Sequence, residues 1–271
     1  DSKDLDASFN NLKAAEGKKD TDEIKKWALK TSQLALRNAS APADYAKQVG
    51  LYCEYSLYAL AVRNTDPAKV NELIETLEQV NPRSQYLVKA HANYLASLRQ
   101  TGDVDKAGIA AEKLADQNQA NEDVLLIAAD YNLQKKNQPD KVLLYSKKLI
   151  EYLQAQPQPE EGKRADWEKK KRALLAHANW MAGVTYSGMA KYVEADQHLG
   201  AALPDLKDEQ IRAVALFHLG LADYQLGKAR KDRTLIEDAL LYSEKSAAIA
   251  GPLQLLAQKN VRAIRNELGW R

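Results

Sequence analysis

The chain of 271 residues carries 39 Lys and Arg against 37 Asp and Glu, a net charge of +2, which gives no general basis for binding nucleic acid or an anionic membrane. Hydrophobic residues at 45% and charged residues at 28% supply a core and argue against disorder. No apolar run approaches the ~18–20 residues of a membrane span.

Taken in chain order, apolar residues recurring every three or four positions predict thirteen helices. The first two, near 3–16 and 20–38, carry Phe9, Leu12, Ile24, Trp27 and Leu34. Ser40-Ala41-Pro42 reads as a cap and first-turn proline for a third helix over 42–64. In that helix the stripe Val49, Cys53, Leu57, Leu60 places the single cysteine in the core as an unreactive thiol. A lone cysteine cannot form an internal disulfide, so it does not fix the redox compartment. Asp66-Pro67 repeats the cap-and-proline signal for a helix over 66–80, with Val70, Leu73, Ile74 and Leu77 on one face and Asn81-Pro82 as its stop. Helices over 84–101, 103–118 and 121–136 follow, and Gln138-Pro139-Asp140 opens another over 139–155. The run Gln156-Pro157-Gln158-Pro159-Glu160-Glu161-Gly162 reads as a short stiff linker between residues 1–155 and 163–271. Beyond it come helices over 163–189, 192–203, 208–227, 232–250 and 252–268, with Gly251-Pro252 punctuating the last two. Strict alternation of β-branched residues is absent, so the expected fold class is all-α. Starting at Asp1 rather than Met, the sequence reads as a processed or trimmed chain whose targeting segment is already removed.

Near-constant hairpin spacing directs attention to repeats. The clearest unit is Asn179-Trp180-Met181-Ala182-Gly183-Val184-Thr185-Tyr186, followed by Tyr192, Ala195, Leu199 and Ala202. Small residues at Ala182 and Gly183 let two helices approach, Tyr186 fills the space beside them, and Ala195 faces back from the second helix. This resembles the tetratricopeptide repeat, a helix–turn–helix of ~34 residues. Leu219-Gly220 and Leu226-Gly227 with Ala239 outline a second match, in which Lys228 to Ile236 reads as a lengthened, mobile turn. Weaker matches run through Leu95, Leu98, Gly102, Ala107 and Leu114, through Tyr58, Ala61, Val70 and Pro82, and through Ala128, Ala129, Val142 and Leu149. The resemblance covers about residues 51–250. It implies a right-handed α-solenoid of stacked hairpins, continuous through the linker, with a last helix bearing Leu253, Leu256, Val261 and Ile264 as its cap.

No catalytic or metal motif accompanies this pattern. The histidines His91, His177, His198 and His218 share no ligand spacing with another His, Cys or carboxylate, and phosphate loops, nucleophile elbows and dinucleotide fingerprints are missing. Expected cofactors and metals are therefore none. The basic clusters Lys169-Lys170-Lys171-Arg172 and Lys228, Arg230, Lys231, Arg233 are expected at opposite edges, on the order of 30 Å apart by helix rise, and read as solvated surface.

The resemblance implies a non-enzymatic scaffold holding a protein or peptide partner in a groove lined by first-type helices. Where the family's carboxylate clamp has Lys and Asn, this sequence has residues such as Ala92, Ala96, Leu126 and Val184, so a clamp for a free carboxylate is not expected. Groove positions instead fall on Tyr52, Tyr55, Trp180, Phe217 and Tyr224, with Arg63, Arg99 and Asp130 beside them, a composition typical of binding hot spots. Two other readings stay open: an enzyme or small-molecule binder built on the helical frame, and a weak nucleic-acid binder using the basic edges. Repeat proteins of this kind occur in the cytoplasm and, after signal removal, in the bacterial envelope, and the sequence does not choose between them.

Overall fold

A computed structural model describes residues 2–37, 43–116, 120–136, 138–160, 162 and 164–269. These residues form thirteen α-helices with no strand among them. The helices are α1 (Ser2–Lys18), α2 (Thr21–Arg37), α3 (Ala43–Arg63), α4 (Pro67–Val80), α5 (Gln85–Gln100), α6 (Val104–Asp116), α7 (Glu122–Lys135), α8 (Pro139–Ala155), α9 (Arg164–Gly188), α10 (Tyr192–Ala202), α11 (Glu209–Arg230), α12 (Arg233–Ala247) and α13 (Gln254–Leu268). A short 3-10 turn, Leu203–Asp205, follows α10. The Ser40-Ala41-Pro42 signal lies outside the described residues.

Side-chain caps set most of the clear starts. Asp66 accepts from the Ala68 N–H with Pro67 in the first turn, Ser84 accepts from Tyr86, and Asn121 accepts from Val124. Asp208 and Asp232 each accept two first-turn N–H groups, opening α11 and α12. Several stops are made by a residue in the left-handed region: Lys19, Lys136, Ala190 and Lys231 stand there with φ of 56–57°, a place more often held by glycine. Pro252 stands in the turn before α13 rather than inside that helix.

The chain forms two compact units, residues 1–110 and 111–271, which divide within α6. The Pro-rich stretch at 156–160 therefore lies inside the second unit, where α8 and α9 on either side of it pack together. In the first unit each helix from α1 to α5 packs on the next, and α2 also touches α4 and α3 touches α5. In the second, the same rule holds from α7 to α13, with α7 on α9 and α9 on α11. Packing on the next helix and on the next of the same kind is what stacked hairpins produce.

The first core gathers Leu5, Leu12, Ile24, Val49, Cys53 and Leu57 with the α4 stripe Val70, Leu73, Ile74 and Leu77. Desolvation pushes the fully buried Cys53 thiol up to about 11. Cys53 should accordingly resist a thiol reagent in the native protein and react at the rate of a free thiol once the chain is unfolded in urea. Fast labelling under native conditions would place it on the surface instead.

The second unit shows how close the helices come. A Cβ built at Gly183 of α9 would stand 2.5 Å from Leu199 Cγ of α10. One built at Gly220 of α11 would stand 2.8 Å from Ser243 Oγ and 3.1 Å from the Ala239 carbonyl of α12. Gly183 and Ala195 are twelve residues apart, whereas Gly220 and Ala239 are nineteen. The expected long mobile turn does not account for the difference. The extra residues lengthen both helices by about one turn each, and Gly227 closes the added length against Ile236. Lys231 and Asp232 alone separate α11 from α12. Lys and Arg, read as turn residues, are good helix formers and continue α11 here.

Candidate functional site

A cleft of about 450 Å³ lies in the first unit, between the α1–α2 turn and α3. Positions 52, 55, 56, 59, 60 and 63 of α3 follow helical spacing along the side turned to this cleft and its margin. Tyr55, Ser56, Ala59, Leu60 and Arg63 line it. Facing them are Glu16 from the last turn of α1, Lys19 from the turn and Ile24 from the first turns of α2. The turn is tight because Lys19 takes the left-handed conformation, and the Asp20 N–H returns to the Ala15 carbonyl at 3.1 Å.

Glu16 is held in place by α3. Its Oε2 accepts from the Tyr52 hydroxyl at 2.7 Å and its Oε1 from the Ser56 hydroxyl at 2.5 Å. The hydrogen bond to Glu16, reinforced by burial, pushes the Tyr52 phenol up to about 12, so it stays a donor at any physiological pH. Lys19 and Arg63 form no ion pair among the described residues. The Tyr55 ring is about half exposed and leans on Tyr86 of α5, centroids 5.8 Å apart, while Tyr58 stacks on Tyr86 at 5.4 Å. The cleft thus combines apolar side chains, an exposed aromatic ring and two cations that form no ion pair among the described residues.

Of the residues expected at a groove, Tyr55 and Arg63 meet in this cleft and Tyr52 supports it through Glu16. Arg99, exposed in the last turn of α5, does not line it. The remaining four belong to the second unit. Asp130 of α7 accepts from Gln134 at 2.8 Å. Trp180 of α9 is half-buried, meets His177 edge to face at 5.3 Å, and has an indole N–H with no acceptor among the described residues. Phe217 of α11 is half-buried against His218 at 5.3 Å. Tyr224 is covered in part by α13: its hydroxyl donates to Glu267, which also pairs with Lys228 at 3.2 Å, and its ring packs on the Leu240–Ile264 cluster. Sequence reasoning missed Glu16, Lys19 and Ser56. An acid and a base ending one helix look like ordinary surface charge until α3, some forty residues later, folds across them.

Titratable groups inside the second unit are shifted by burial. His218 donates to or accepts from Ser187 Oγ at 2.9 Å and is pushed down to about 4 by desolvation. His177 and His198 are lowered for the same reason. Asp223 of α11 is 3% exposed, its Oδ1 has no hydrogen-bond partner among the described residues, and burial together with the charge and hydrogen bonding of Asp196 and the charge of Asp238 raises it to about 7. Asp223 stands three residues after Gly220, the place Tyr186 takes after Gly183. Among the described residues no group of His, Cys, Asp and Glu is arranged to hold a metal ion, and no helix is long and apolar enough to cross a membrane. Within the basic clusters, Lys170 pairs with Glu122 at 3.1 Å and Arg233 with Glu237 at 2.9 Å. No protein-family model and no curated protein matches this chain.

Proposed function

We propose that this chain is a non-enzymatic, tetratricopeptide-like scaffold that holds a segment of a partner protein, and that the α1–α3 cleft is a contact point. In this reading the hairpins stack as a right-handed solenoid and α13 serves as the terminal cap. Next-but-one helix packing and the glycine-mediated approaches at Gly183 and Gly220 support the repeat reading. The observation that carries the binding reading is Tyr55, a large aromatic left about half exposed at the mouth of a cleft that also presents Arg63. Aromatic and Arg anchors beside a pocket are the composition of interface hot spots.

An affinity pull-down from the source organism, read by mass spectrometry, tests this with the native chain and Tyr55→Ala side by side. A partner should be retained by the native chain and weakened by the substitution by about 1–2 kcal/mol, with the melting curve unchanged. Equal retention by both proteins would remove the cleft from the interface.

A further inference from the structure

We infer that the α1–α3 cleft recognises a protein segment in which a large apolar side chain lies beside an Asp or Glu. The inference rests on the reading of this cleft as a protein-binding site and adds the chemistry of its occupant. Charge decides the sign. Glu16 is the one carboxylate among the cleft's lining residues, and both its oxygens already accept hydroxyl donors from Tyr52 and Ser56. An incoming ammonium would compete with those donors and approach Lys19 and Arg63 as a like charge. An incoming carboxylate meets the opposite situation, because the three donors of Lys19 and the planar fork of Arg63 have no counter-charge among the described residues. The same lining includes Ile24, Ala59 and Leu60, whose side chains offer an apolar group contact but no hydrogen bond.

A chain suits this place better than a free small acid. The aromatic surface does not end at the cleft: from Tyr55 it continues over Tyr86 to Tyr58, giving residues flanking the anchor a surface to lie on. The carboxylate is a side chain's and not a chain terminus, so the recognition differs from that of a C-terminal clamp.

The test is selection of short peptides from a bead-bound library, acetylated at the N-terminus and anchored at the C-terminus so that no free carboxylate remains, against the full chain. Selected peptides are then resynthesised as N-acetylated, C-terminal amides and titrated by fluorescence anisotropy. Selected sequences should place Leu, Phe or Trp next to Asp or Glu. Replacing that Glu by Gln in the peptide should weaken binding about tenfold to the native chain and leave binding to a chain carrying both Lys19→Gln and Arg63→Gln almost unchanged. Tyr55→Ala should weaken every selected peptide, and Ala59→Trp, checked by its melting curve, should block the cleft. Peptides that bind through Tyr55 but are indifferent to the Glu-to-Gln change would overturn the acidic occupant and leave the protein-binding reading standing. Peptides unaffected by both Tyr55→Ala and a folded Ala59→Trp, or a selection that yields no binder, would overturn both.

Discussion

Gly183→Leu should lower the melting temperature of the protein by about 6–12 °C, the equivalent of roughly 3 kcal/mol in a unit of this size. The hydrogen at Gly183 points into α10. A Cβ there would meet Leu199 at 2.5 Å from Cγ and 2.9 Å from Cδ2, and also its backbone nitrogen at 3.1 Å. The Leu199 side chain can turn aside, but its backbone nitrogen can withdraw only if α10 moves off α9. Leu199, Ala195 and Ala202 are fully buried in the same cluster, so that movement opens a core. Gly200 of α10 supplies the control, since a Cβ there meets nothing within 4 Å. Gly200→Ala should therefore stabilise by about 0.5–1 kcal/mol through helix propensity alone. If Gly183→Leu melts like the native chain while Gly200→Ala behaves as expected, α9 and α10 do not touch at this point and the repeat register there is wrong.

Local chemistry made much of the helical architecture legible. The α4 stripe Val70, Leu73, Ile74, Leu77 is buried as its spacing predicts, and Asp66-Pro67 opens the helix that its cap chemistry requires. Gly183 marked a close helix contact, because a glycine inside a helix costs stability that close packing explains. The α11–α12 hairpin was less legible. Its basic residues match a turn by exposure and a helix by propensity, and only Gly227 against Ile236 distinguishes an extended hairpin from a long loop. The cleft was half legible. Tyr52, Tyr55 and Arg63 share one side of a single helix, which periodicity can reveal. Glu16 and Lys19 reach them only through the tertiary packing of α1, α2 and α3, and no local pattern records that. Buried Asp223 gave no signal either, because a carboxylate among Leu, Ala and Tyr reads as a surface residue until Asp196 and Asp238 from α10 and α12 are brought to it.

That buried carboxylate makes stability depend on pH in a direction opposite to ordinary carboxylates. In the unfolded chain Asp223 ionises at about 3.9, whereas in the folded protein desolvation and the charges of Asp196 and Asp238 hold its proton to about 7. As pH rises from about 4, the unfolded state loses a proton that the folded state keeps, so stability falls until the folded carboxyl also ionises near 7. The expected loss across this window is roughly 2–4 kcal/mol, being close to 1.4 kcal/mol for each unit of displacement at most. His218 acts with the other slope. Burial without a counter-charge holds its folded value at about 4, below the unfolded value near 6.5, so its contribution is present above about 6.5 and lost as pH falls. His177 and His198 shift in the same direction and add to it. Between about pH 4 and 6.5 the two slopes oppose each other, and above about 7 neither group adds any. Asp223→Asn keeps the shape and removes the titration, and its amide can donate to a neighbouring carboxylate. In urea unfolding it should exceed the native chain by about 2 kcal/mol near pH 8, with the advantage vanishing towards pH 4.5. His218→Gln removes the opposing slope, so its stability should fall more steeply than the native chain's as pH rises from about 4.5 to 6.5. A difference between Asp223→Asn and the native chain that stays constant from pH 4.5 to about pH 8 would mean that the substitution changes packing only, and that Asp223 does not hold a proton in the folded protein.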